Sequence, residues 1–136
     1  MSIREELKCR RIFFDGGMGS LLQSKGLKPG ELPETWNILH PEIIEQIHVD
    51  YLNAGADIVT ANTFGANRFK YKKEENYSVE EIVTAAVGIA KKAVERAGHG
   101  SVALDLGPTG KLLTPYGTLE FEEACEVYKE VVRSGV

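Results

Sequence analysis

Ile12-Phe13-Phe14-Asp15-Gly16-Gly17-Met18-Gly19 runs three apolar β-formers directly into an acid and a pair of glycines. Ile12, Phe13 and Phe14 suit a buried strand, being β-branched or aromatic and unbroken by polar residues. Asp15 then falls at the strand's C-terminal end, and Gly16 and Gly17 let the backbone turn and come close to a ligand. A carboxylate beside bare backbone N–H groups can hold both ends of an amino acid: Asp15 the ammonium, the N–H groups the carboxylate. The same residues also suit a plain strand-to-helix turn with an incidental acid.

Outward from this stretch, the alternation of elements sets the fold class. Ser2 and Glu5 fit a capping box for a short helix to about residue 8. A helix over 19–25 carries Leu21 and Leu22 inward and stops at Gly26. Residues 27–39 read as a loop that Trp36 pins to the body. His40-Pro41 opens a helix with Ile43, Ile44, Ile47, Tyr51 and Leu52 at helical spacing, ended by Gly55. A second strand covers 57–64, and 66–77 is a long polar, basic loop.

Ser78 and Glu81 form a second capping box, and the helix it opens has the stripe Ile82, Val83, Ala86, Ile89, Ala90, Ala93, Val94 and closes at Gly98. The third strand covers 101–106. Thr118 is placed to cap a last helix whose stripe is Phe121, Ala124, Cys125, Tyr128, Val131 and Val132. The order β-α-β-α-β-α, with an extra helix after the first strand, predicts an α/β fold of parallel βα units. In that class, sites form at the C-terminal ends of strands. Asp15-Gly16-Gly17, Asn62-Thr63 and Asp105-Leu106-Gly107 all fall there.

The chain has 136 residues, 43% hydrophobic and 26% charged, the size and make-up of one globular domain. The net charge of −4 and the lack of a basic stripe argue against a nucleic-acid surface. The basic clusters at 8–11 and 70–73 read as solvated surface. Cys9 and Cys125 make no C-x-x-C pattern, so neither a disulfide framework nor a zinc finger is expected, and a reduced, cytoplasmic setting follows. The charged N-terminus has no signal-peptide core, and no apolar run approaches a membrane span.

Other motifs fail on inspection. Leu22 occupies the third position of G-x-G-x-x-G after Gly17 and Gly19, and Leu112 follows Gly110-Lys111 where a phosphate loop needs serine or threonine. His40 reads as a helix start, His48 as a helix-surface residue, His99 as a loop residue, and Cys125 as core.

Four segments in order resemble the homocysteine S-methyltransferase domain: 14–19 (FDGGMG), 53–58 (NAGADI), 60–67 (TANTFGAN) and 107–113 (GPTGKLL). The closest resemblance is to the N-terminal module of cobalamin-dependent methionine synthases, from about residue 10 onward. It implies a (β/α)₈ TIM barrel, of which residues 1–136 hold the first three βα units, the N-terminal part of a homocysteine-binding methyltransferase barrel. It implies a reaction in which zinc holds the homocysteine sulfur as thiolate, which takes a methyl group to give methionine. In cobalamin-dependent methionine synthases methylcobalamin carries that methyl group, delivered by cobalamin and folate modules.

The family's zinc ligands are three cysteines in the later half of the barrel, and neither Cys9 nor Cys125 matches them, so no metal ligand is expected here. The resemblance assigns Asp15 to the substrate ammonium, the Gly16, Gly17 and Met18 backbone to its carboxylate, and Asn62 and Thr63 to the same mouth. Three strands cannot close a barrel, which predicts self-association over the open edges and no methyl transfer by these residues alone. The competing expectation is a non-enzymatic α/β binding module or an inert fragment.

Overall fold

The structure, a computed structural model, describes residues 2–136. Its sheet has two parallel strands, β1 (Ile58–Thr60) and β2 (Ser101–Ala103), with Ile58 opposite Ser101 and Thr60 opposite Ala103. The segment around Phe14 joins the other edge of β1 through one parallel bridge, Phe14 to Ile58. The parallel sense and spatial order match the sequence pattern, but all three expected strands are shorter.

The ladder stops early for local reasons. The Phe13 carbonyl accepts from the amides of Asp57 (2.8 Å) and Ile58 (3.1 Å), and the Asp15 amide donates to the Ile58 carbonyl (2.9 Å). The next rung would take the Thr60 amide to the Asp15 carbonyl; the Asp15 side chain takes it instead, at 2.9 Å. Past β1 the Ala61 amide still reaches the Ala103 carbonyl at 2.9 Å, and the ladder then ends where the Thr63 amide turns back to the Ala61 carbonyl at 2.8 Å. The buried strand expected at 12–14 is therefore a single bridge, and Phe13 and Phe14 are 58% and 59% exposed, because no described element packs over them.

The helices are α1 (Ile3–Cys9), α2 (Gly19–Ser24), α3 (Trp36–Leu39), α4 (Pro41–Asn53), α5 (Val79–Ala97) and α6 (Phe121–Gly135). Both expected capping boxes form, Ser2 with Glu5 and Ser78 with Glu81. Gly98 ends α5 with φ +79°, a left-handed backbone that favours glycine. α4 and α5 pack against each other and against the strands, and α6 packs on the far side of α5. Leu22, Trp36, Ile44, Ile47 and Ile89 form one buried cluster, and Tyr71, Val79, Ile82, Val83 and Val131 a second.

Several local expectations need correction. Trp36 begins α3, after a 3₁₀ turn (Pro33–Thr35), rather than lying in a loop; its Nε1 donates to Glu31 at 3.1 Å. Segment 66–77 is not all solvated, since Ala66, Asn67 and Tyr71 are buried. His48 is fully buried instead of facing solvent, because α4 is covered by both α5 and β1 and buries Ile44, Ile47, His48, Val49 and Leu52. Neither of its ring nitrogens has a hydrogen-bond partner. Glu120, not Thr118, is the N-cap of α6, and makes no side-chain cap bond. Cys125 is half-buried beside an apolar groove rather than core. No described helix is long and apolar enough to cross a membrane.

Candidate functional site

The loop after Phe14 and the ends of both strands meet at a cleft of about 280 Å³, lined by Gly16, Gly17, Met18, Gly19, Pro33, Glu34, Thr60, Ala61, Asn62, Thr63, Phe64 and Asp105. The structure thus brings Gly16, Gly17, Met18, Asn62 and Thr63 to one place, with Asp15 beside them through its bonds to Thr60.

Asp15 is anchored by β1. One carboxylate oxygen accepts the Thr60 amide at 2.9 Å, the other the Thr60 hydroxyl at 3.0 Å. Partial burial raises its pKa above the ordinary carboxylate value although the Thr60 bonds oppose the rise. Each oxygen retains a further lone pair, so the bonds to Thr60 leave room for a cation. Gly16 is in close approach to Tyr51: a Cβ there would lie 2.9 Å from the Tyr51 hydroxyl, which donates to the Gly17 carbonyl at 2.8 Å, and would push the tyrosine aside. The amides of Gly16, Gly17 and Met18 donate to no acceptor among the described residues.

Asn62 and Thr63 shape the mouth by binding backbone. Asn62 Nδ2 donates to the Pro33 carbonyl (3.1 Å) and to Asn37 Oδ1 (2.9 Å), while Asn37 Nδ2 donates to the Asn62 carbonyl (2.9 Å) and the Ile82 carbonyl (3.3 Å). The Thr63 hydroxyl donates to the Asp105 carbonyl at 2.7 Å and accepts the Asp105 amide at 3.2 Å, tying the two strand ends together.

Two acids complete the cleft. Asp105 lies two residues past β2, and burial, then the charges of Asp15 and Glu34, raise its pKa. Glu34 comes from the 3₁₀ turn and is only 4% exposed. Its position has no sequence signal, because its partners Gly65 and Tyr71 lie 31 and 37 residues away. Among the described residues, no lysine, arginine or histidine lines the cleft.

The donor set does not suit a transition metal. Asp15 is held by Thr60 and Glu34 by Gly65 and Tyr71, and no group of three His, Cys, Asp or Glu among the described residues is placed to hold a metal. Cys9 lies in exposed α1 and Cys125 beside the α6 groove. The cleft offers carboxylates for a cationic group and free amides for an anionic one.

Comparison with known proteins agrees in kind. The homocysteine S-methyltransferase family model matches residues 12–136. Betaine–homocysteine S-methyltransferase 1 of Bos taurus is 29% identical over 126 residues, covering 88% of this chain and 31% of that protein. The Escherichia coli homocysteine methyltransferase MmuM in its metallated form superposes with TM-score 0.78 at 22% identity, over 97% of this chain and 52% of that one. Its apo form gives 0.72 at 23% identity, over 98% and 48%. The chain therefore spans about a third of the curated relative and about half of the solved structures, with which it shares a fold.

Proposed function

The chain belongs to the homocysteine S-methyltransferase family, and on that premise we propose that its cleft binds the amino-acid end of homocysteine. The observation that carries the proposal is the meeting of Asp15, the free amides of Gly16–Met18 and the Asn62–Thr63 strand end at one mouth. Asp15 takes the substrate ammonium, and the amides take its carboxylate. Asn62 and Thr63 act indirectly, by holding the mouth's backbone in place.

Residues 1–136 are the N-terminal part of a (β/α)₈ barrel, its first three βα units, a reading supported by the parallel order of the three strand segments and the half-length superposition. The finer type is methionine synthase, by resemblance of the four motifs, with methylcobalamin as donor on cobalamin and folate modules and a cytoplasmic setting. The zinc that the resemblance implies finds no ligand set among the described residues, so no step of sulfur activation is assigned to them. Accordingly the purified chain makes no methionine from homocysteine; measurable production would refute this. Its exposed Phe13 and Phe14, on the open edge of the sheet, lead it to self-associate. A compact monomer in sedimentation would overturn that.

Isothermal titration of the 136-residue chain with homocysteine tests the binding proposal. Binding is expected without added zinc, weakened about tenfold or more by Asp15→Ala. Equal affinity for homocysteine and its N-acetyl derivative would overturn it.

A further inference from the structure

Glu34 has the least ordinary setting of any acid near the cleft. It is buried, yet among the described residues no cationic side chain pairs with it. Its Oε1 accepts the Gly65 amide at 2.5 Å, and its Oε2 accepts the Tyr71 hydroxyl at 2.9 Å. The fit is close on the Gly65 side, where a Cβ would sit 2.7 Å from Oε1 and displace the carboxylate. Tyr71 is itself 1% exposed. Burial, with the Glu34 charge and hydrogen bond, pushes its hydroxyl pKa up, which keeps it a donor. The Asn37–Asn62 pair beside it clasps the same two segments, 33–37 and 62–65. Each Glu34 oxygen, with one bond made, keeps accepting capacity.

A buried carboxyl group fixed by two neutral donors, with accepting capacity left on each oxygen, offers an acceptor to a ligand's ammonium in a cleft whose described lining has no basic side chain. We propose that Glu34 is a specificity-determining residue of the cleft, whose carboxylate, set in place by the Gly65 amide and the Tyr71 hydroxyl, selects zwitterions with a free ammonium group over N-acylated or purely anionic analogues. The proposal deepens the amino-acid reading above and rests on it for the identity of the ligand. Asp105 lines the same cleft, and Asp15 stands beside it through its bonds to Thr60, each on a segment separate from Glu34.

Glu34→Gln, which keeps shape and removes charge, is compared with Tyr71→Phe, which removes one anchor and keeps the charge. Titration with homocysteine and with N-acetylhomocysteine is expected to show about a tenfold loss of homocysteine affinity in Glu34→Gln, collapsing its preference over the acetylated form. Tyr71→Phe is expected to lower the melting temperature while keeping the preference. A second readout needs no ligand. Carboxyl NMR should show the Asp105 pKa falling toward its ordinary value in Glu34→Gln, since the Glu34 charge contributes to its elevation.

An unchanged Asp105 titration in a folded Glu34→Gln variant would overturn the proposal, as would an unchanged preference for homocysteine. If the wild-type chain binds no homocysteine while Asp105 still responds, the amino-acid reading fails and the electrostatic role of Glu34 stands.

Discussion

α5 and α6 carry similar sequence signatures and end up differently. The α5 stripe of Ile82, Val83, Ala86, Ile89, Ala90 and Ala93 is buried throughout, between α4 on one side and α6 on the other. α6 has two apolar stripes side by side. Ala124, Val127 and Val131 face inward and are buried. Phe121, Cys125, Tyr128 and Val132, with Leu113, line an open groove of about 580 Å³. An amphipathic pattern tells which side of a helix wants cover; the neighbours decide whether it is covered.

The largest effect should come from the buried helix. Ile82 is 0% exposed among Tyr71, Val79, Val83 and Val131. Ile82→Ala should cost about 3 kcal/mol, read from urea denaturation, because the site cannot collapse around the lost methylenes. A cost below about 1 kcal/mol would show that α5 is packed no better than the outer side of α6.

Next is His48 on α4, the helix that covers α5. Burial lowers its pKa from 6.5 to about 4. Between these values the unfolded chain binds a proton that the folded chain does not, so stability is highest above pH 6.5 and falls as pH drops toward 4. Below 4 this contribution levels off. The linkage amounts to about 3 kcal/mol at most. His48→Leu should remove that part of the pH dependence, since no ring nitrogen makes a hydrogen bond that leucine would lose. An identical pH profile in wild type and variant would place His48 in contact with solvent.

His48 also marks where the sequence stops being legible. Periodicity finds α4 and α5, and capping boxes find two helix starts, because both signals lie within a few residues. One apolar stripe cannot tell that α4 is covered on two sides, which is what buries His48. The strand run at 12–14 is read correctly as extended and parallel to its neighbour and wrongly as buried, since burial depends on what lies across it. The site divides along the same line. Asp15, the glycines and Asn62-Thr63 fall at strand ends, where the fold class points. Glu34 is brought in by partners more than thirty residues away. The anchoring of Asp15 on Thr60 is likewise a product of register, not of local sequence.

The helix starts sharpen the contrast at a smaller scale. Ser78 accepts the Glu81 amide at 3.1 Å and Glu81 accepts the Ser78 amide at 2.8 Å. Ser78→Ala should therefore cost about 1 kcal/mol. Glu120 caps α6 with backbone alone. Glu120→Ser, offering a side-chain acceptor to the first turn, should add up to about 1 kcal/mol. If both substitutions leave the melting temperature unchanged, capping does not distinguish the two helices.

The smallest effect belongs to the outer stripe of α6. Phe121 opens that stripe and is 65% exposed. A packed phenylalanine cut back to a small side chain costs about 3–5 kcal/mol, whereas an exposed one changes stability by no more than about 0.5 kcal/mol. Phe121→Ser should fall in the second class, measured by denaturation of the chain at low concentration. A cost of several kcal/mol would mean that the groove is filled under those conditions and that α6 is as fully covered as α5. The same substitution measured at rising protein concentration separates the two causes of such a result. A cost that grows with concentration comes from a second copy seated in the groove, because only the associated state is stabilised by mass action. A cost independent of concentration comes from the chain's own packing.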